Sequence, residues 1–254
     1  MKNFLNAVRH QKSLFHKKFE SADFTQVERA ERIFYLEYLR DGMTVFDVGA
    51  NIGELTLLFS RFVGENGKVH SFEASRAAFQ KLETICRAAN KRNVILNHLA
   101  LSDKQGLIRL HVYDDNYLSF NTQAVRKIEE YGAAVEPVEI EETNAETVDD
   151  YCEKNGIEQI DLLKIDVEGA ELQVLRGARK MLQSGRIKCL TFEFGQATFD
   201  MGNTPEEIRD CLKESGYKFR NIVKGDPVFP GSKNTRNAGF SMHVAAPASK
   251  KLEL

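Results

Sequence analysis

The apolar positions of this 254-residue chain alternate between short continuous runs and spacings of three to four. Over 24–39, Phe24, Val27, Phe34, Tyr35, Tyr38 and Leu39 fall near helical spacing with charge on most of the other face, and Asp41 and Gly42 end the pattern. Met43–Val48 is a short β-branched run that predicts a strand; it leads into DVGANIG, Asp47–Gly53, and then into ELTLLFSRFV, which predicts a helix. Lys68–Phe72 predicts a second strand ending at Glu73, after which Phe79, Leu82, Ile85, Cys86 and Ala89 line one face of a helix. Val94–Leu101 and Leu107–Tyr113 read as two more strands, separated by the turn-prone Ser102, Asp103 and Gly106.

The middle of the chain is less regular. Residues 114–137 suit an excursion beside the sheet, with a short helix around 124–131; Val138–Ile140 is expected to pair locally and Ala145–Glu153 to form a helix. The rhythm then resumes with strand Ile160–Ile165, a helix over Ala170–Leu182 and strand Ile187–Phe194. Near-continuous apolar runs of this kind suit parallel strands covered by helices on both faces. Thr204 as cap, Pro205 at the first helical position and Glu207 three residues past the cap predict a helix start, and Gly216 its end. Tyr217–Val223 and Phe240–Ala245 read as the last strands. The expected organisation is an N-terminal helical segment (1–40), an α/β domain (41–248) with an insertion at about 114–153, and a short tail (249–254).

Composition narrows the class. With 42% hydrophobic and 28% charged residues the chain matches an ordinary globular protein, and a net charge of −2 shows no basic excess of the kind that phosphate-neutralising nucleic-acid binders carry. Charge is uneven: ten acids and no Lys or Arg lie in Glu129–Glu153, whereas residues 1–19 hold five bases and no acid. Cys86, Cys152, Cys189 and Cys211 have no metal-ligand or redox spacing, so reduced, mostly buried thiols are expected. Neither a signal peptide nor an apolar run near 20 residues is visible, which points to a cytoplasmic protein without a transmembrane segment.

Candidate chemistry gathers at strand ends. Gly49 and Gly53 sit where a strand hands over to a helix, which fits either a nucleoside-type cofactor loop or a merely tight turn. Glu73, 26 residues after Asp47, is placed to accept from two ribose hydroxyls, unless it is a solvated loop acid. Ser102 and Asp103 would fall beside an adenine, or simply form a turn. In LLKIDVEGAELQVLRGA, Asp166 ends a strand and Glu168 follows, and Glu193 ends the next strand within TFEFG. Acids so placed in an open parallel sheet point into the ligand crevice, although Asp166 could instead cap the following helix.

These motifs, DVGANIG, Glu73, ALSD, KIDVEGAELQVLRGA and TFEFG, resemble the FkbM-like family of S-adenosylmethionine-dependent methyltransferases over about residues 43–245. The resemblance implies an α/β, Rossmann-like class I methyltransferase fold, a mostly parallel seven-stranded sheet with helices on both faces and an antiparallel final strand. It implies methyl transfer to a hydroxyl oxygen of a small metabolite or sugar. It would place Asp47, Gly49, Asn51 and Gly53 around the methionine part of the cofactor, Glu73 at the ribose, Ser102 and Asp103 near adenine, and Asp166 and Glu168 beside the transfer site.

Methyl transfer from a sulfonium is an in-line displacement, so alignment dominates, and a nearby carboxylate or imidazole can take the alcohol proton. The base candidates, in order, are Asp166, Glu193 and His98. His98 looks the most enclosed of the six histidines and reads more readily as a packed imidazole than as a base. Asp166, Glu168 and Glu193 also offer the oxygen ligands that magnesium accepts, but no fixed ligand spacing assigns a metal. The acceptor, a small hydroxylated molecule such as a sugar or glycan, is expected to be read by the N-terminal helices and by 114–131, where Asp114, Asp115 and Tyr117 stand with other polar and aromatic side chains. Two other classes remain: an NAD-dependent oxidoreductase, for which a phosphate loop and a Tyr-x-x-x-Lys pair are lacking, and a non-catalytic binding protein that keeps the fold.

Overall fold

A computed structural model describes residues 24–114, 118, 121–124, 136–232 and 237–249. Helix α1 (Phe24–Tyr38) precedes strand β1 (Thr44–Val48), helix α2 (Glu54–Val63), β2 (Lys68–Glu73), α3 (Arg76–Ala88) and β3 (Val94–His98). After β4 (Ala100–Leu101), β5 (Gly106–Val112) and β6 (Glu139–Glu146) come α4 (Val148–Asn155), β7 (Leu162–Ile165), α5 (Glu171–Gly177), α6 (Arg179–Gln183) and β8 (Leu190–Phe194). Helices α7 (Gln196–Asp200) and α8 (Pro205–Glu214) lead to β9 (Tyr217–Asn221), the short pair β10 (Gly231–Ser232) and β11 (Asn237–Ala238), and β12 (Ser241–Pro247).

Seven strands form one sheet in the order β3-β2-β1-β7-β8-β12-β9. β12 is antiparallel to both neighbours, and the other pairings are parallel. This is the Rossmann-like arrangement of class I methyltransferases, with the connection reversing between β1 and β7, where ligands of open α/β sheets bind.

Strand alternation sends successive side chains to two differently packed faces. Phe46, Val48, Phe72, Leu163, Ile165, Phe192 and Phe194 face α4, α5, α6 and α8 through Tyr151, Leu172, Leu182 and Ile208. Val45, Val69, Leu162 and Val244 face α1 and α2 through Phe34, Tyr35, Phe59 and Val63. The predicted start of α8 is present as a reciprocal capping box, Thr204 Oγ1 accepting from the Glu207 N–H and Glu207 Oε2 from the Thr204 N–H. Cys86, Cys152, Cys189 and Cys211 form no disulfides, and among the described residues no helix is long and apolar enough to cross a membrane.

Three expectations are corrected. Val94–Leu101 is not one strand: the chain breaks at Leu99, leaving β3 in the main sheet and β4 in a separate three-stranded sheet ordered β4-β6-β5. The strand expected over Leu107–Tyr113 is present as β5 and lies in that second sheet, where it pairs with β6 from Gly106↔Ala145 to Val112↔Glu139. The helix expected from Ala145 starts at Val148, since Ala145 and Glu146 are taken by that ladder and Thr147 caps the helix by accepting from the Asp150 N–H. Ala170–Leu182 is two helices, divided at Ala178. The short helix expected around 124–131 lies almost wholly outside the described residues.

Candidate active site

On the face covered by α1 and α2, pairing stacks the side chains in tiers. Val69, Val45 and Leu162 are register partners and form an apolar tier. Two residues further along each strand, Ser71, Asp47, Lys164 and Thr191 are register partners across β2, β1, β7 and β8 and form a polar tier. Two residues beyond these, at the strand ends, stand Glu73, Gly49, Asp166 and Glu193.

The polar tier is buried and held by hydrogen bonds and ion pairs, with Asp47 Oδ1 held by an ion pair alone. Asp47 is fully buried, and its Oδ2 accepts from Thr56 Oγ1 of α2 at 2.6 Å. Lys164, 2% exposed, sets its Nζ 2.9 Å from the Gly49 carbonyl oxygen, 3.3 Å from Asp47 Oδ1 and 3.4 Å from Asp166 Oδ2. Burial opposes the charge on this ammonium, but Asp166 and Asp47 more than offset it and hold the group above the ordinary lysine range. Breaking such a buried pair from one side costs about 3–5 kcal/mol, because the remaining charge is stranded. From α1, the Tyr35 hydroxyl donates to Glu31 Oε1 at 2.7 Å and lies 2.9 Å from Thr191 Oγ1.

The two loops above this tier meet. A Cβ on Gly49, at φ +77°, would lie 1.8 Å from the Asp166 carbonyl oxygen, so only glycine permits the approach. Asn51 is left-handed at φ +48°, and its N–H donates to Glu73 Oε2 at 2.8 Å while the Ser75 N–H donates to Oε1 at 2.8 Å. Burial nevertheless pushes the Glu73 carboxyl up to about 7. In the second loop Glu168 is also left-handed, at φ +52°. Glu171 Oε1 accepts from the N–H groups of Val167 and Gly169 at 3.1 and 3.2 Å and clamps the turn; burial pushes its carboxyl up to about 7 as well. Carboxylate oxygens of Asp166, Glu168 and Glu193 lie within 4.8 Å of one another.

A cavity opens beside this rim. Gly49, Asn51, Glu73, Asp166 and Glu168 line its polar side, Leu101, Ile108 and Leu110 its apolar side, and Leu118, Asn121 and Gln123 come from the excursion. Thr122 ties that excursion to the rim, its hydroxyl donating to the Glu168 carbonyl at 2.6 Å. Two buried polar atoms on the lining have no partner among the described residues, the acceptor Asn51 Oδ1 and the donor Asn121 Nδ2. An unmet buried polar group costs about 1–3 kcal/mol, so this lining suits a ligand that both donates and accepts.

The predicted residues are thus divided. Gly49, Asn51, Glu73, Asp166 and Glu168 come together on the cavity, and Glu193 joins their carboxylates. Asp47 lies beneath the loop, and Gly53 serves as the cap of α2, with Leu82 against it. Ser102 and Asp103 lie off the lining: the Ser102 N–H donates to the Glu146 carbonyl, and Asp103 is exposed. His98 is not the most enclosed histidine. It ends edge strand β3, is exposed, stacks on Phe79 and has Nε2 3.1 Å from the Ala74 carbonyl; His243 is the fully buried one. Asp114 is exposed, and Asp115 and Tyr117 lie outside the described residues. The described part of the N-terminal segment, α1, covers the sheet and does not line the cavity.

Lys164 was missed. Its signal was a lone base in an apolar central strand, two residues before Asp166 and so on the same face.

The Methyltransferase FkbM domain model matches residues 47–219. The chain belongs to the FkbM methyltransferase family. It is 30% identical over 217 residues to the 31-O-demethyl-FK506 methyltransferase FkbM of Streptomyces tacrolimicus, covering 76% of this chain and 79% of that protein. It is 32% identical over 163 residues to the methyltransferase sdnD of Sordaria araneosa, covering 52% of this chain and 59% of that one. The crystal structure of methyltransferase FkbM from Methylobacillus flagellatus KT superposes with a TM-score of 0.47 at 14% identity, over 94% of this chain and 58% of that one. As a family member the protein is an S-adenosylmethionine-dependent methyltransferase, and S-adenosylmethionine is its cofactor.

Proposed function

We propose that this FkbM-family enzyme methylates a hydroxyl oxygen of a small polyhydroxylated acceptor, such as a sugar, at the rim formed by Asp166, Glu168 and Glu193. The observation that carries this reading is the convergence of those three carboxylates, within 4.8 Å, beside the cavity that Asp166, Glu168 and Glu73 line. A carboxylate only accepts hydrogen bonds when ionised, so three of them together suit an acceptor rich in hydroxyl donors.

When bound, the cofactor supplies an electrophilic methyl group on a sulfonium. Glu73 keeps lone pairs beyond those used by Asn51 and Ser75 to accept from the ribose hydroxyls. The loop from Gly49 to Gly53 is assigned to the methionine portion, where Asn51 Oδ1 is a free acceptor for its ammonium group. Asn121 Nδ2, on the part of the lining that the excursion supplies, offers a donor. Asp166 or Glu193 would hold the acceptor hydroxyl and take its proton as its oxygen displaces the sulfur, as a neutral thioether, from the methyl carbon, and fixed orientation contributes much of the rate. The polar and aromatic side chains of 114–131, Asp114, Asp115 and Tyr117 among them, are assigned to the acceptor.

The same three oxygens could hold a divalent cation. Acceptor screening by mass, with and without a chelator, tests both points. Methyl gain on a hydroxylated acceptor that survives chelation supports direct carboxylate action. Loss restored by magnesium assigns the cluster to a metal, and methylation confined to nitrogen or carbon acceptors overturns the reading. Calorimetry with NAD separates the oxidoreductase alternative, which requires NAD to bind in preference to S-adenosylmethionine.

A further inference from the structure

The cofactor loop and the acceptor rim lie on different strands, and one buried ammonium touches both. We propose that Lys164 is a positioning residue that couples the two: through Gly49 it fixes the loop that receives the cofactor, and through Asp166 it fixes the carboxylate that faces the acceptor. The inference rests on the cofactor assignment of the cavity made above.

The geometry is specific to this side chain. Lys164 projects from β7 in register with Asp47 of β1, so the neighbouring carboxylate, 3.3 Å away, anchors the ammonium from the side of the polar tier. Asp47 is itself fixed by the Thr56 hydroxyl, and Thr56 Oγ1 lies 3.0 Å from Ser71 Oγ. The ammonium donates a hydrogen bond to the Gly49 carbonyl and is ion-paired with two carboxylate oxygens, Asp47 Oδ1 and Asp166 Oδ2. The Gly49 carbonyl belongs to the residue whose missing Cβ lets the Asp166 backbone approach. Lys164 therefore lies under the contact between the two loops and binds one group from each. Methionine would leave the Gly49 carbonyl and the Asp166 carboxylate to find other positions, and glutamine would keep a donor for the carbonyl only.

The test uses S-adenosylhomocysteine as probe and reads its Kd by calorimetry beside Tm. Because Lys164→Met alone strands Asp47, it is paired with Asp47→Asn, which removes the buried charge together with its partner. Lys164→Gln with Asp47→Asn is the conservative counterpart. There the amide introduced on β1 can donate to the side-chain oxygen introduced on β7, while the amide nitrogen introduced on β7 donates to the Gly49 carbonyl. The Lys164→Met pair is expected to bind the probe about tenfold or more weakly, the scale of a lost hydrogen bond to a charged group. The Lys164→Gln pair is expected to recover most of that loss while keeping turnover low, because the Asp166 carboxylate has lost the ammonium. A Lys164→Met pair that binds like the wild type overturns the proposal, as does a Lys164→Gln pair that is no better than Lys164→Met. If either pair fails to fold, the wild-type protein decides: a buried ammonium exchanges slowly enough for its Nζ resonance to be followed by NMR. A resonance that moves on adding the probe supports the coupling, and an unmoved one overturns it. Failure of the wild type to bind the probe at all would instead sink the cofactor assignment of the cavity.

Discussion

The two faces of the central sheet are built on opposite terms. Toward α4, α5 and α8 the side chains of the central strands β1, β7 and β8 stay apolar or aromatic to the strand ends: Phe46 lies against Phe72 and Tyr151, and Phe192 stacks on His243 with centroids 4.8 Å apart. Toward α1 and α2 the apolar tier gives way, two residues before the rim, to Ser71, Asp47, Lys164 and Thr191. One face therefore stabilises by close packing, and the other gives up packing to hold loops. Strands β1, β2, β7 and β8 contribute to both, since alternate residues of the same strand point opposite ways.

Their acid–base behaviour differs in the same way. On the aromatic face, burial lowers His70 and His243 to about 4. The unfolded chain binds more protons than the folded one between that value and the usual 6.5, so this face loses stability as the pH falls through the window. At the rim and the turn beside it, Glu73 and Glu171 are raised to about 7. There the folded chain binds more protons from about 4.5 to 7, and their contribution falls as the pH rises through that range.

The comparison is broken most severely by Phe192→Ala on the aromatic face. Phe192 is fully buried, and its loss should reduce stability by about 3–5 kcal/mol in denaturant unfolding, with the Kd for S-adenosylmethionine unchanged in the folded fraction. A weakened Kd would mean that the two faces are not separable. On the other face, Asp166→Asn should lower turnover by ~100-fold or more with a small change in cofactor affinity, the range for a positioned acid or base. Near-normal turnover with the identified acceptor would remove Asp166 from the reaction centre.

Glu73→Ala should weaken S-adenosylmethionine binding by ~1.5–3 kcal/mol in calorimetry. Ribose hydroxyls donate to the ionised carboxylate, so wild-type affinity should rise as the pH climbs through about 7 and level off above it; a flat profile counts against Glu73 as the ribose ligand. The smallest effect is expected from Tyr35→Phe, which removes the hydroxyl beside Glu31 and Thr191 and should cost about 1 kcal/mol of stability. A large loss of turnover in that variant would extend the functional network into α1.

Much of this arrangement was legible along the chain because it is local. DVGANIG, Glu73 and KIDVEG each end a short apolar strand, and Thr204, Pro205 and Glu207 cap a helix through contacts three residues apart. What was hidden depends on partners far away in sequence. β6 reads poorly as EIEETNAE because charge obscures the alternation by which Glu141, Thr143 and Ala145 turn inward, and its pairing with β5 spans the excursion. His98 sits among apolar neighbours in sequence, yet β3 is an edge strand, and edge position follows only from the strand order. Lys164 gains its meaning from register with Asp47, 117 residues earlier, which no window along the chain contains.

The contact between Gly49 and the Asp166 carbonyl also governs how this enzyme can be re-engineered. Two loops that touch through a missing side chain form a single module, so grafting either one from a relative without the other brings a mismatched surface into a gap that admits no adjustment. Libraries aimed at new acceptors are better spent on Leu118 and Gln123, which reach the same cavity from the excursion between β5 and β6 and lie outside the Gly49–Asp166 contact.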